Sequence, residues 1–274
     1  MIRFKSSLLA PAALVLMLAG GLAAFAEGED SQPKPSRQTW SFHGVFGTFD
    51  RAQVQRGFQI YKEVCSNCHK LSIPFRALED PTGPGYSEDQ VKTLAASYQI
   101  VNDEPNDKGE IFKRPGTPAD TFPPPDAFPN DQAAAASFGK APPDMWLLAK
   151  SRKYERGFPN FVFDIFNAYQ EVGTDYIYAI LNGYTKPDDP QWNLYYPGHR
   201  IAMPQPITDG AVKYTDGTPE TLDNYARDVA TFLSWAAEPS MIERKKIGVR
   251  VLIFLVVFSV LMYYVKKQVW ADAH

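Results

Sequence analysis

Apolar residues fall into separate stretches along the chain, and each stretch has its own period. From Leu8 to Leu18 they form an almost unbroken run, interrupted by Pro11. Asp50 precedes Arg51 to Val64, where Val54, Phe58 and Tyr61 recur at helical spacing, so a capped amphipathic helix is predicted. Ser87 with Gln90 three residues on has the pattern of a capping box and predicts a short helix through about Tyr98. Residues 102–129 hold seven prolines in twenty-eight positions, which predicts a long irregular surface excursion. Asn160 to Glu171 and Thr174 to Asn182 read as aromatic-rich helices, the second closed by Gly183. Thr218-Pro219-Glu220 predicts a helix start through its proline, with Leu222, Ala226, Val229 and Leu233 on one face. No stretch shows clear strand alternation and there is no internal repeat. The middle of the chain therefore reads as mainly α, with long Pro-rich loop insertions.

The two ends read differently. Arg3 and Lys5, the apolar run and Ala24-Phe25-Ala26 make residues 1–26 a cleaved signal peptide of a bacterial export route. Ile247 to Val265 is nineteen residues with one charge, Arg250. A helix of that length spans roughly 28 Å, about one hydrocarbon core. Tyr263, Tyr264 and Trp270, beside Lys266 and Lys267, suit the far interface. The domain plan is then 27–242 as an exported head, 243–265 as a transmembrane anchor with its basic flank, and 266–274 as a cytoplasmic tail. Arg244, Lys245 and Lys246 outnumber the two lysines after the span, which alone would reverse that orientation. A signal that has already translocated a large domain overrides such local counting.

Composition sharpens this plan. The 274 residues carry a formal charge of −3, which excludes a strongly basic nucleic-acid binder, so no nucleic-acid partner is expected. Apolar content of 45% with 22% charged residues excludes a disordered chain and a multi-span membrane protein. The total is a cancellation. With Arg3 and Lys5 set aside, and the six bases and two acids of residues 243–274, the head at 27–242 stands at −9. Its acid clusters include Glu79-Asp80, Glu88-Asp89 and Asp103-Glu104 with Asp107.

The chemistry rests on the chain's two cysteines, in Cys65-Ser66-Asn67-Cys68-His69. Cys-x-x-Cys-His is the attachment motif of c-type haem: each thiol reaches one vinyl group, and the adjacent His69 is preset as an axial iron ligand. A thioredoxin-like redox pair would need a βαβ setting, and a zinc site two further soft ligands, whereas His43 and His199 stand alone. One covalently bound haem c is the expected cofactor. Its sixth ligand comes from elsewhere. Beyond residue 26 the methionines are Met145, Met203, Met241 and Met262, and Met203 lies in the proline-stiffened loop Ile201-Ala202-Met203-Pro204-Gln205-Pro206. Met203 is the candidate and His199 the rival. Thioether ligation raises the reduction potential and suits electron transfer.

These residues carry a family resemblance. From about Trp40 to Trp270 the chain resembles the cytochrome c1 family, the membrane-anchored c-haem subunits of the cytochrome bc1 complex, in its alphaproteobacterial form. The resemblance rests on Arg56-Gly57-Phe58-Gln59-Ile60-Tyr61 before the cysteine motif, and on Pro142-Pro143-Asp144 followed by Lys150-Ser151-Arg152. Ile201-Ala202-Met203-Pro204, Asp216-Gly217-Thr218-Pro219 and Trp235-Ala236-Ala237-Glu238-Pro239 add to it. It implies a class I cytochrome c-like haem domain, Met203 as sixth ligand, Arg152 paired with a haem propionate, and Tyr61, Pro142 and Pro143 packed at the haem. It further implies one-electron transfer from a Rieske iron–sulfur protein to a cytochrome c, with cytochrome b as a neighbouring subunit in the bacterial inner membrane. The acidic head fits a basic cytochrome c as acceptor. Two departures stand out: Gln205 replaces a proline many members carry, and no spare cysteine exists for the extra disulfide of some bacterial relatives. A free membrane-anchored cytochrome remains the alternative. A peroxidase-like haem enzyme would want an open sixth position, which the Met203 loop opposes.

Overall fold

A computed structural model of the chain describes residues 32–271 apart from positions 103 and 129, so the expected signal peptide at 1–26 lies outside the described residues. Helix α1 (Arg51–Glu63) begins where the Asp50 carboxylate accepts from the Gln53 amide at 3.2 Å. Val54, Phe58 and Tyr61 form its buried face, joined by Gly57 and Ile60. Helix α2 (Glu88–Ala96) carries both arms of the expected capping box: the Gln90 amide donates to Ser87 Oγ at 3.3 Å and the Ser87 amide to Gln90 Oε1 at 2.8 Å. After these come α3 (Asp131–Phe138), α4 (Leu148–Ser151), α5 (Asn160–Phe166), α6 (Val172–Asn182), α7 (Leu222–Ala237) and α8 (Met241–Val269).

The structure departs from the sequence reading in several places, and α6 also begins two residues early, at Val172. Helix α5 stops at Phe166, where Asn167 caps it and Ala168 takes a φ of 50°. Helix α7 starts at Leu222, three residues after the proline expected to open it. Thr221 is its cap, accepting from the Asn224 amide at 3.4 Å, and the Leu222 amide donates to Asp209 Oδ1 at 2.6 Å. The Pro-rich excursion also contains one strand of a short antiparallel ribbon, β1 (Gln99–Val101) with β2 (Lys113–Pro115). Arg114 grips Asp120 at 2.7 and 2.8 Å and the Thr117 amide joins at 2.6 Å, holding the Asp120 carboxyl well below the usual carboxylate range.

The core forms where α1 crosses α7. A Cβ on Gly57 would sit 2.1 Å from the Asp228 carbonyl oxygen and 2.6 Å from Phe232 Cβ, so only glycine permits this approach. Beside it Arg56 forks onto buried Asp228 at 2.7 and 3.1 Å and reaches Asp216 at 2.8 Å, while the Tyr214 hydroxyl donates to Asp228 at 2.7 Å. Phe58, Tyr61, Phe122 and Phe232 pack their rings around the crossing in tilted and edge-on contacts. Helix α8 is long and apolar enough to cross a membrane, and only Met241 and Ile242 at its start are buried.

Helix α6 carries a buried acid. Asp175 is fully inaccessible and accepts from Trp40 Nε1 at 2.7 Å, the Gln38 amide at 3.1 Å and the Tyr169 hydroxyl. Burial pushes its carboxyl up to about 6, against the opposing pull of the Trp40 and Gln38 bonds. The folded state thus holds a proton that an unfolded chain releases near 3.8. More protons are bound folded than unfolded in that window, so this group makes stability fall as pH rises from about 4 to 6. Replacing it, Asp175→Ala, should flatten that slope. It should also cost about 1–3 kcal/mol per unpaired buried donor, read by denaturant melts across the same pH range.

Candidate functional site

Helix α1 ends by running into a 3-10 turn at Cys65–Asn67. The Cys68 and His69 amides both donate to the Cys65 carbonyl, at 3.1 and 2.9 Å, so the two sulfurs and the imidazole are set by one tight turn. Both thiols are free and half-buried. Burial pushes the Cys65 thiol up to about 12, the reverse of the lowered value a redox-active pair requires. The two-stranded ribbon is the only sheet among the described residues, so the thioredoxin-like setting has no counterpart there. Among the same residues no group of three or more His, Cys, Asp or Glu side chains is placed to hold a metal ion.

His69 is buried, and its Nδ1 lies 2.8 Å from the Pro143 carbonyl oxygen. A carbonyl accepts only, so Nδ1 carries the proton and Nε2 keeps its lone pair for a metal. Burial holds the imidazole pKa below its ordinary value, against that same hydrogen bond, and so favours the neutral ligand form. The Pro143 segment is itself stapled down. Asp144 accepts from the Ser72 amide at 3.3 Å, from the Ser72 hydroxyl and from the Trp146 amide at 2.8 Å, and the Met145 amide donates to the Lys70 carbonyl at 3.0 Å. Tyr61 stands behind the turn, fully buried, its hydroxyl 3.4 Å from the His69 carbonyl oxygen.

The Met203 loop is held by its own backbone. The Ile201 amide donates to the Gln191 carbonyl and the Gln205 amide to the Pro190 carbonyl, both at 3.0 Å. The Tyr184 hydroxyl donates to the Met203 carbonyl at 2.9 Å, and buried Asn193 donates to the Ile180 carbonyl at 2.7 Å. Gln205 thus supplies an N–H that a proline there would lack. Met145 and Met241 belong to the core and Met262 lies on α8, which leaves half-buried Met203 as the methionine on a pinned loop. His199 Nδ1 lies 3.1 Å from the Asn193 carbonyl and the ring stacks on Trp192 at 5.1 Å, so the loop itself occupies it. Its partner being a carbonyl, His199 Nδ1 is the donor.

Pro142 is half-buried and Pro143 exposed, with the Pro143 carbonyl against His69. Arg152 is exposed at the end of α4. Its charge opposes the rise that burial imposes on the Tyr176 phenol. Asp144, Tyr184 and Asn193 escaped the sequence reading. Asp144 alone left a signal, as the third residue of Pro142-Pro143-Asp144.

A profile of the cytochrome C1 family matches residues 40–273. The chain belongs to that family. A Bradyrhizobium diazoefficiens protein named cytochrome b/c1 is 50% identical over 97% of this chain, which spans 40% of that relative's length. Cytochrome c1 of Blastochloris viridis is 45% identical over 98% of this chain and 96% of its own. A Candida albicans protein named cytochrome b-c1 complex catalytic subunit, mitochondrial, is 39% identical over 86% of this chain and 77% of its own. Cytochrome C1 proteins are electron-transport proteins with one covalently bound haem c, and this chain is one of them. The fold agrees with the expectation: mainly helical, with long Pro-rich connections and a C-terminal helix fit to span a membrane. The free thiols at Cys65 and Cys68 and the fixed tautomer of His69 fit the haem.

The staple at Asp144 is testable. Asp144→Ala strips two backbone amides and a hydroxyl of their acceptor and should lower stability by about 1–3 kcal/mol in a denaturant melt. Asp126→Ala, on an exposed turn, should leave the melt unchanged.

Proposed function

We propose that this chain is the electron-transfer subunit of a ubiquinol–cytochrome c oxidoreductase, the bc1 complex of a bacterial inner membrane. It receives one electron at a time from the Rieske iron–sulfur protein and passes it to a basic cytochrome c, with cytochrome b as its membrane neighbour. The names of two relatives, cytochrome b/c1 and cytochrome b-c1 complex catalytic subunit, support the assembly. By itself the chain breaks no bonds. In this reading residues 1–26 are removed, 27–242 form the periplasmic head, 243–265 anchor it and 266–274 face the cytoplasm.

The observation that carries the proposal is the Nδ1–Pro143 hydrogen bond of His69, directly after two free thiols on one turn. Cys65 and Cys68 form the thioether bonds, and His69 presents Nε2 to the iron. Met203, on its pinned loop, would supply the second protein ligand to the iron. Arg152 pairs with a propionate, and Tyr61, Pro142 and Pro143 pack at the ring. When bound, the haem supplies a one-electron couple, whose potential a His/Met ligand pair raises. The head's −9 charge draws a cationic partner by long-range steering that salt weakens.

Met203→Leu should keep the haem covalently attached while lowering its midpoint potential by on the order of hundreds of millivolts. A redox titration that finds no change would remove Met203 from the iron. Gentle detergent extraction should bring the chain out together with a b-type cytochrome and an iron–sulfur subunit. Consistent migration alone would favour the free membrane-anchored cytochrome instead.

A further inference from the structure

Helix α8 leaves the head within its first two turns. Met241 and Ile242 are buried, and from residue 250 onward the helix is exposed on every side. The apolar stretch begins at Ile247, two residues after Lys245 and so about 3 Å further along the axis. Lys245 Nζ donates to the Phe42 carbonyl at 2.6 Å and lies 3.4 Å from the Gly47 carbonyl, which clamps both ends of one turn against the helix. At the tip of that turn Phe46 is 84% exposed, with Val45 beside it at 46%.

The neighbouring residue ties down a second protrusion. Arg244 Nη2 donates to Gln170 Oε1 at 3.3 Å, just beyond α5. Helix α5 and its lead-in leave Phe158, Phe161, Ile165 and Phe166 exposed, Phe166 at 81%. The protrusions are joined: His43 of the turn pairs with Glu171 at 3.2 Å, and its ring packs near Tyr169 at 5.9 Å. Phe42, at the base of the turn, lies in the core, as do Phe75, Phe122 and Phe232 elsewhere in the head. The most exposed aromatics of the head, Phe46, Phe158 and Phe166, thus lie on the segments joined to Arg244 and Lys245 at the start of α8, whereas Phe112 and Trp146, about half as exposed, lie elsewhere.

We propose that the 42–47 turn and the Phe158–Phe166 segment form an apolar wedge that inserts into the headgroup–acyl boundary of the bilayer beside the anchor. This rests on α8 being the membrane span. Aromatic side chains rimmed by bases suit a lipid surface that carries anionic headgroups. The wedge is continuous with α8, its two tethers reaching consecutive residues of the helix one turn before the lipid-facing stretch begins. The head is then held by two contacts, the span and the wedge, and cannot swing freely about residues 238–242.

Nitroxide labels at Phe46→Cys and Phe161→Cys in the full-length holoprotein test this. The labelled protein is studied in phosphatidylcholine/phosphatidylglycerol vesicles and in native membranes, by power-saturation EPR with oxygen and a water-soluble nickel chelate. Val257→Cys on α8 is the lipid control and Ile111→Cys, 61% exposed on the Pro-rich excursion, the aqueous one. Both wedge positions should resemble Val257, with an oxygen-to-nickel collision ratio severalfold above that at position 111. Nickel access equal to that at position 111 would place the wedge in water and overturn the proposal. Shielding from both reagents in native membranes would mean that a protein subunit covers it, which overturns the proposal equally. An aqueous signal at position 257 would instead defeat the membrane reading of α8 on which the wedge depends. Both wedge side chains are exposed, and the two sites are scored separately, so misfolding of one variant leaves the other decisive.

Discussion

The contact between α1 and α7 at Gly57 governs where the rest of the head can sit. With no Cβ at that position the two backbones close to a distance that any other residue would block. The Arg56–Asp228 fork then fixes how the helices are aligned along each other. Burying Asp228 carries a desolvation cost, which the two guanidinium bonds and the Tyr214 hydroxyl offset. The pair is better understood as setting register than as adding stability. Both ends of the functional apparatus hang from this crossing. The last turn of α1 delivers Cys65, Cys68 and His69, and α7 runs through Trp235 to the Glu238-Pro239 break from which the anchor departs.

The Pro-rich segments, which have little regular structure, serve as acceptors. A proline lacks an N–H but keeps its carbonyl, so a chain rich in proline offers acceptors without competing donors. The molecule uses this repeatedly. Arg51 donates to the Pro81 carbonyl at 3.0 Å, Gln55 to that of Pro84 at 2.7 Å and the Arg76 amide to that of Pro118 at 2.8 Å. His69 on Pro143 and the Gln205 amide on Pro190 follow the same rule. Loops that cannot form helices or interior strands are thereby bound to the elements they cross. His69 and the loop of Met203, 134 positions apart in sequence, are each tied down in this way.

What could be read from the sequence is what depends on neighbours a few positions away. Asp50 caps α1 because its partner is Gln53, and Ser87 pairs with Gln90 within one turn. The spacing of Cys65, Cys68 and His69 is equally local. Interactions over long separations left no such mark. Nothing near His69 announces that its partner is a carbonyl 74 residues on, or that Asp144 will hold that carbonyl in place. Gly183 shows how a local rule can succeed for another reason. It ends α6 as expected, yet with φ of −83° it needs no left-handed conformation. Its hydrogen matters because a Cβ there would meet Asn193 Oδ1 at 2.5 Å. Likewise α7 begins late because Asp209, thirteen residues upstream, takes the Leu222 amide.

Charge follows the same division between local and global. The total of −3 describes no part of the molecule, since an acidic head and a basic neck cancel within it. At the neck, Glu238 is engaged by both Lys150 and Arg244, and Glu243 lies 3.9 Å from Arg250. The field met by a lipid surface there is therefore that of the surplus bases, within a Debye length of about 8 Å at physiological salt. Acids farther out in the head are screened from the lipid but remain open to a soluble cationic partner. In the proposed reading one chain attracts an anionic bilayer at its neck and a basic protein at its head, because screening keeps the two fields from averaging.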